Sequence, residues 1–294
     1  SLPIWDFNSL TFSSMMYESP WYTKFISDAL FDIMGYRIHR GSIYSLYGQH
    51  YRSSFVITLV VLFLFGVWRK LYLSLYIHIP FCQTKCPYCD FNTYAKIEHL
   101  MPSYVEALCQ ELLLWSSVLE TDIIETIFFG GGTPSYLPTT DLKKILDTVR
   151  TNFKCDTSEI TIEVNPNDID YKNIDEFLQI GINRVSIGTQ SFQDSILKTL
   201  GRTHSSDVAI DCYRKLRQIG VDNISLDLMY GIPYQTFKHW EDSLQIASEL
   251  DPDHLSLYCL TLEKNTPMQR LIDVGKIEHA NDDLAADMYV LCEE

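Results

Sequence analysis

HIPFCQTKCPYCDFNT, residues 78–93, places cysteines at 82, 86 and 89 directly after the apolar run LYLSLYIHI (71–79). A run of that length and composition reads as a buried strand, so the cysteines sit on the loop at its carboxyl end. Three thiols make an awkward set. A structural zinc site wants four ligands, a disulfide two, and a conventional iron–sulfur cubane four thiolates.

Outward from this stretch the chain becomes regular. The apolar or β-branched runs 71–79, 123–129, 159–164, 183–188, 221–228 and 254–260 alternate with amphipathic stretches at 102–118, 140–153, 172–181, 194–201, 206–220 and 238–250, and a last helix begins near 281. The strands read as too apolar to be half-exposed, which predicts an α/β fold with a parallel sheet covered by helices. Several helices stop at a glycine before the next strand, as in LQIGI, LRQIGV and TLGR. Six such units fit either a partial (β/α) barrel or an open doubly wound sheet. Periodicity does not separate the two, and in both the chemistry belongs at the carboxyl ends of the strands.

Those ends are polar. The second strand runs into GGGTPS (130–135), the third carries Glu163 and ends VNPND, the fourth yields SIGTQSF with Gln190, and the fifth gives SLDLMYGIP with Asp227. GGGTPS is either a tight turn or a place where backbone approaches a ligand with N–H groups to offer. It lacks the spacing of a dinucleotide fingerprint and of a P-loop. Glu163 and Asp227 lie within apolar strands, where a carboxylate is paired or holds a ligand. His78 reads as packed or bonded to backbone, and the five scattered cysteines as small hydrophobes.

The spacing Cys-x3-Cys-x2-Cys lets three thiolates converge on one face of a cubane, leaving one iron open to an amino acid that presents amine and carboxylate. If that ligand carries a sulfonium, one-electron reduction can break a carbon–sulfur bond and start a radical. A three-ligand zinc site completed by water is the rival.

Composition bounds the rest. The 294-residue chain is 46% apolar and carries a net charge of −15. Residues 1–70 hold six Lys/Arg against four Asp/Glu, leaving 17 against 34 for 71–294. So acidic a body is poorly suited to a phosphate backbone, so no nucleic-acid partner is expected. Eight unevenly placed cysteines exclude a laced secretory scaffold and suit a reducing, cytoplasmic setting. Residues 55–68 are continuously apolar between Arg52 and Arg69–Lys70, but shorter than the ~18 residues of a confident span. They are a span, a buried or interfacial helix, or part of a foreign leader; membrane contact is the less favoured reading. Residues 1–70 are taken as an extension of unknown role, dispensable for the site, and 71–294 as the core domain.

CQTKCPYC after a strand, with GGGTP next, resembles the radical S-adenosylmethionine (SAM) superfamily. YIHIPFC, CPYCDFNTY, FFGGGTPS, ITIEVNP, NRVSIGTQSF, LGRTH, NISLDLMYGIP and LSLYCLTLEKNTP resemble its oxygen-independent coproporphyrinogen III oxidase-like branch, of the HemW haem-chaperone type. The resemblance covers 71–294 and implies a partial (β/α)6 TIM-like barrel. It implies a [4Fe–4S] cluster on Cys82, Cys86 and Cys89. Tyr76 would lie against the SAM cofactor, and Gly131, Gly132 and Thr133 would meet its methionine end. Glu163, Gln190, Arg202 and Asp227 match positions that hold its remaining polar groups. Arg202 is implied by the resemblance alone, since LGRTH otherwise reads as a helix stop.

Two departures matter. Decarboxylating members carry a further cysteine two residues after the third, where this chain has Phe91. Full-length members also continue into a C-terminal domain with an HNxxYW segment associated with haem handling, and this sequence stops at Glu294. The resemblance therefore implies the radical core of a haem chaperone, with cluster, SAM and haem as cofactors. Its partners would be a haem-accepting protein and an electron donor. The alternative is the oxidase, which forms vinyl groups from coproporphyrinogen III propionates.

Overall fold

A computed structural model describes residues 57–60, 72–119 and 123–293. Six parallel strands form the sheet: β2 (Tyr72–Ile79), β5 (Ile123–Gly131), β6 (Lys154–Val164), β7 (Arg184–Gln190), β8 (Asn223–Tyr230) and β9 (His254–Cys259). They lie side by side in chain order, and β1 (Ile57–Val60) pairs antiparallel with β2 at one edge. β1 and β9 end the sheet, so the barrel stays open.

This order decides what periodicity leaves unresolved. A doubly wound sheet reverses direction at a switch point, which puts helices on both faces. Here every crossover steps the same way. Right-handed connections then stack all the crossover helices on one outer face and curl the sheet around the other. The structure is the half-barrel. Its crossover helices are α1 (Met101–Val118), α2 (Thr139–Asn152), α3 (Tyr171–Gln179), α4 (Asp194–Thr199), α5 (Ser206–Ile219) and α6 (Phe237–Leu250), and α7 (Pro267–Asp273) and α8 (Asp282–Cys292) follow β9. Local chemistry sets several ends. The Asp170 side chain accepts from the N–H groups of Lys172 and Asn173 to start α3, Thr236 caps α6, and α5 stops at Gly220 with φ 97°.

The expectation that both strand faces are apolar needs correcting. Leu75, Ile77, Ile127, Phe129, Ile162, Ile187, Leu226 and Leu228 are buried under the helices, each contributing about 1.5–3 kcal/mol of burial. Their alternates are polar or aromatic. Glu163 stands opposite Ser186, Ser186 opposite Ser225, and Asp227 opposite Ser256. With a period of two, a half-barrel gains an apolar jacket and a polar hollow from the same strands.

Of the apolar segment 55–68, only 57–60 are described, and these four residues form a strand rather than a helix. The ladder from Ile57↔Ile77 to Val60↔Ser74 crosses the expected domain boundary at 70. Among the described residues, no helix is long and apolar enough to cross a membrane.

Candidate functional site

β2 ends at Ile79, and two short strands, β3 (Phe81–Cys82) and β4 (Tyr94–Ala95), pair in parallel to close the cysteine loop at its base. The Tyr94 N–H donates to the Pro80 carbonyl at 2.7 Å. Lys85 Nζ donates inside the loop to the carbonyls of Phe91 (3.0 Å) and Thr93 (3.1 Å). His78 Nε2 lies 2.9 Å from the Asn92 carbonyl and Nδ1 lies 3.2 Å from the Tyr76 hydroxyl. A carbonyl can only accept, so Nε2 carries the proton and Nδ1 accepts from Tyr76. Burial lowers the pKa of His78, which keeps it neutral and occupied with backbone, as the sequence implies.

Each cysteine sulfur has hydrogen-bonding neighbours. The Thr133 hydroxyl donates to Cys82 Sγ at 3.6 Å, Arg202 Nη1 donates to Cys86 Sγ at 3.5 Å, and Cys89 Sγ lies 3.9 Å from the Thr93 hydroxyl. The Tyr88 hydroxyl also hydrogen-bonds Cys86. Desolvation is the main cause that raises the Cys82 and Cys89 thiols. Hydroxyl and guanidinium donors complement thiolates, so the donor set fits a thiolate-held cluster. Among the described residues, no three His, Cys, Asp or Glu side chains stand close enough to share one metal ion. A cubane makes a different demand, because each thiolate binds its own iron.

The glycine-rich loop arrives from β5 beside these sulfurs. Gly131 has φ 114°, and a Cβ there would fall 2.5 Å from the His78 ring. A Cβ on Gly132 would meet the carbonyls of Phe81 (2.7 Å) and Ile79 (2.9 Å) and Cys82 Sγ (3.0 Å). The N–H groups are already bonded: Gly131 to Glu163 Oε2 (3.0 Å), Gly132 to the Ile79 carbonyl (2.8 Å), Thr133 to the Phe81 carbonyl (2.8 Å). The backbone at these positions is therefore packed against His78, β3 and Cys82, and it lacks the spare donors its sequence suggests.

Across the hollow stand the carboxylates. Glu163 keeps part of its surface open to the hollow, yet lies deep enough that burial, with Asp227 nearby, raises it to about 7. Burial also raises Asp227, to about 6, against the relief of hydrogen bonds from Ser186 (3.0 Å) and Ser256. Two adjacent carboxylates raised in this way suit a site for a positively charged group. Gln190 is buried with φ 66°, a strained conformation for a side-chain-bearing residue, next to a break in register between β7 and β8. Its Oε1 accepts from the Tyr258 hydroxyl at 2.5 Å. Tyr76 stacks on Phe128 on the same face, ring centroids 5.9 Å apart.

Arg202 joins the two halves. Its Nη2 donates to the Gly188 carbonyl (2.7 Å) and to Asn165 Oδ1 (2.6 Å), while Nη1 reaches Cys86. The loop after α4 thus delivers a guanidinium into the hollow between the ends of β6 and β7 and the cysteine loop.

The model of the radical SAM superfamily matches residues 76–247. The chain belongs to the radical SAM superfamily. Within it the chain is closely related to the HemW/HemN branch. It is 39% identical over 218 residues to the heme chaperone HemW of Bacillus subtilis, covering 74% of this chain and 58% of that one. It is 42% identical over 196 residues to the heme chaperone HemW of Escherichia coli, covering 66% and 52%. Among solved structures, the coproporphyrinogen III oxidase HemN of Escherichia coli, a radical SAM enzyme, superposes with a TM-score of 0.68 at 28% identity, covering 75% and 51%. The chain spans about half the length of these relatives.

Several site residues escape the sequence reading. Tyr258 lies at the carboxyl end of the sixth strand, and the rule applied to the first five would have found it. Tyr88 stands inside the cysteine motif. Ser186 and Ser256 are legible only as alternates of buried residues, and the role of Asn165 depends on contacts that no spacing encodes.

Proposed function

We propose that this chain is the radical SAM core of a haem chaperone. Cys82, Cys86 and Cys89 hold a [4Fe–4S] cluster, the polar hollow holds SAM, and haem is bound for delivery to a haem-dependent acceptor, with a separate electron donor. Phe91 carries this reading over the oxidase. It occupies the position of the additional cysteine in decarboxylating members and is 50% exposed on the cysteine loop, and a phenyl ring cannot act as a thiolate. The 39% and 42% identities to proteins named heme chaperone add support.

Each group has a task suited to its chemistry. Glu163 and Asp227 offer negative charge to the cationic groups of SAM, and Arg202 offers a cation to its carboxylate. Tyr76 and Phe128 give an aromatic wall, and Gln190 gives an amide fixed by Tyr258. When bound, the cluster and SAM supply reductive cleavage of a sulfonium carbon–sulfur bond. The acidic composition and unpaired cysteines support a cytoplasmic protein that avoids nucleic acid.

The test is an anaerobic assay on the reconstituted protein with reductant, SAM and coproporphyrinogen III, following vinyl formation by mass and haem binding by titration. Slow SAM cleavage and no vinyl product are expected, with haem binding weaker than that of a full-length HemW. Product above a Cys86→Ala control would overturn the chaperone reading and promote the oxidase.

A further inference from the structure

One side chain outside the set assigned above links two of the three cysteine sulfurs. Asn165 directly follows β6 and precedes Pro166, which restricts it to extended backbone; it has φ −88° and ψ 143°. That conformation aims its amide between the glycine-rich loop and Arg202. Asn165 Nδ2 donates to the Thr133 hydroxyl at 3.1 Å, and that hydroxyl donates to Cys82 Sγ at 3.6 Å. Asn165 Oδ1 accepts from Arg202 Nη2 at 2.6 Å, and Arg202 Nη1 donates to Cys86 Sγ at 3.5 Å. The series Cys82–Thr133–Asn165–Arg202–Cys86 is continuous.

The direction of the series is determined. A guanidinium has no acceptor, so the atom facing Arg202 must be the amide oxygen. Asn165 also hydrogen-bonds the Asp168 carboxylate, which accepts from the Ser135 hydroxyl at 3.2 Å. The NH2 group thus faces acceptors, and the reversed amide would set like against like on both sides. With its lone pair engaged by Asn165, the Thr133 hydroxyl turns its hydrogen toward sulfur. With Nη2 held by Asn165 and the Gly188 carbonyl, Arg202 is left to point Nη1 at Cys86.

We propose that Asn165 is a positioning residue for the iron–sulfur cluster, orienting the Thr133 and Arg202 donors on Cys82 and Cys86 and so raising the cluster's reduction potential. The inference rests on the proposed cluster. Hydrogen bonds to ligand sulfurs stabilise the added negative charge of the reduced state, which makes the potential less negative.

The test uses the full chain, anaerobically reconstituted, with iron content, a thermal melt and a midpoint potential from a redox titration followed by EPR. Asn165→Leu is expected to keep its iron and shift the midpoint to more negative potential. Thr133→Val, which removes the donor on Cys82 alone, is expected to give a smaller negative shift. The double variant should fall short of the two shifts summed, because both act through one donor. Asn167→Ala, which removes a hydrogen bond to Thr203 near the same strand end, should leave the midpoint unchanged; an equal shift there would reduce Asn165 to a local structural role and overturn the proposal. Asn165→Leu with full iron and an unaltered midpoint would also overturn it. If Asn165→Leu does not fold, Thr133→Val decides, and no shift there overturns the proposal. A wild type without iron–sulfur absorption would instead remove the reading beneath it.

Discussion

The cysteine loop between β3 and β4 and the hollow on the ends of β6, β7 and β8 are built in opposite ways. The loop holds its shape through backbone carbonyls gripped by Lys85 and His78, and much of it faces solvent. In the hollow, side chains stand on adjacent strands and are tied to one another by register: Glu163 to the glycine-rich loop, Asp227 to Ser186, Gln190 to Tyr258. The sheet makes the hollow whether or not a ligand is present. The loop's three cysteines are instead proposed to share a cluster, which the sheet does not supply. A fault in the loop should therefore cost metal without fold, and a fault in the hollow should alter charge and affinity without metal.

The largest effect separates the two regions outright. Cys82→Ala, Cys86→Ala or Cys89→Ala should each reduce iron from about four per chain to background, leaving the melting temperature of the metal-free protein nearly unchanged. Cys212→Ala, on the buried side of α5 at 2% exposure, should lose about 1 kcal/mol of stability and no iron. Colorimetric iron and visible absorption make the check, and stoichiometric iron in any of the first three variants breaks the comparison.

Where the regions meet, Gly132→Ala should cost about 1–3 kcal/mol, because its Cβ would strike two backbone carbonyls and Cys82 Sγ. Iron retention should fall with it. Gly220→Ala, with φ 97° but nothing within 4 Å of the added carbon, should cost only about 1 kcal/mol and spare the iron. Denaturant melts with parallel iron assays separate strain alone from strain at the site.

Within the hollow, charge should act through pH. Glu163 is raised from 4.5 to about 7, so its favourable contribution is complete below 4.5 and is lost as pH rises through about 7. Glu163→Gln should accordingly be the more stable protein at pH 8, by about 3 kcal/mol, with the gap closing toward pH 5 in thermal melts. The same substitution should weaken SAM about tenfold at pH 8. A gap that widens toward low pH would show that Glu163 is paired with a cation rather than stranded beside Asp227.

The smallest effect belongs to Tyr258→Phe. Losing the hydroxyl that holds Gln190 should weaken SAM a few-fold by calorimetry and change stability by about 1 kcal/mol or less. A loss of iron instead would show that β9 supports the cysteine loop directly.

Much of this architecture is legible in the chain. Glu163 and Asp227 are visible as carboxylates within apolar runs, and burial accounts for their raised pKa values. The cysteine spacing stands out because three thiols on one short loop cannot be accounted for by packing. Less legible is the alternation inside ITIEV and ISLDL. Thr161 and Ser225 are fully covered, and a hydroxyl within an apolar run passes for buried core. The glycine-rich loop misleads for a related reason. Glycine shows that backbone comes close to something, and here what Gly132 approaches is β3 and its cysteine.

The sequence by itself determined the cysteine trio, six strand–helix units, the turn glycines and the polarity of the strand ends, because each is a matter of residue type and local period. Only the tertiary structure decided that the strands run in chain order with the crossover helices on one face, since strand order depends on long-range pairing that local pattern does not encode. It also decided that Arg202, Asn165 and Thr133 meet between Cys82 and Cys86. These residues come from four separate strand ends and loops, and their meeting exists only once the sheet has curled to bring those ends to one rim.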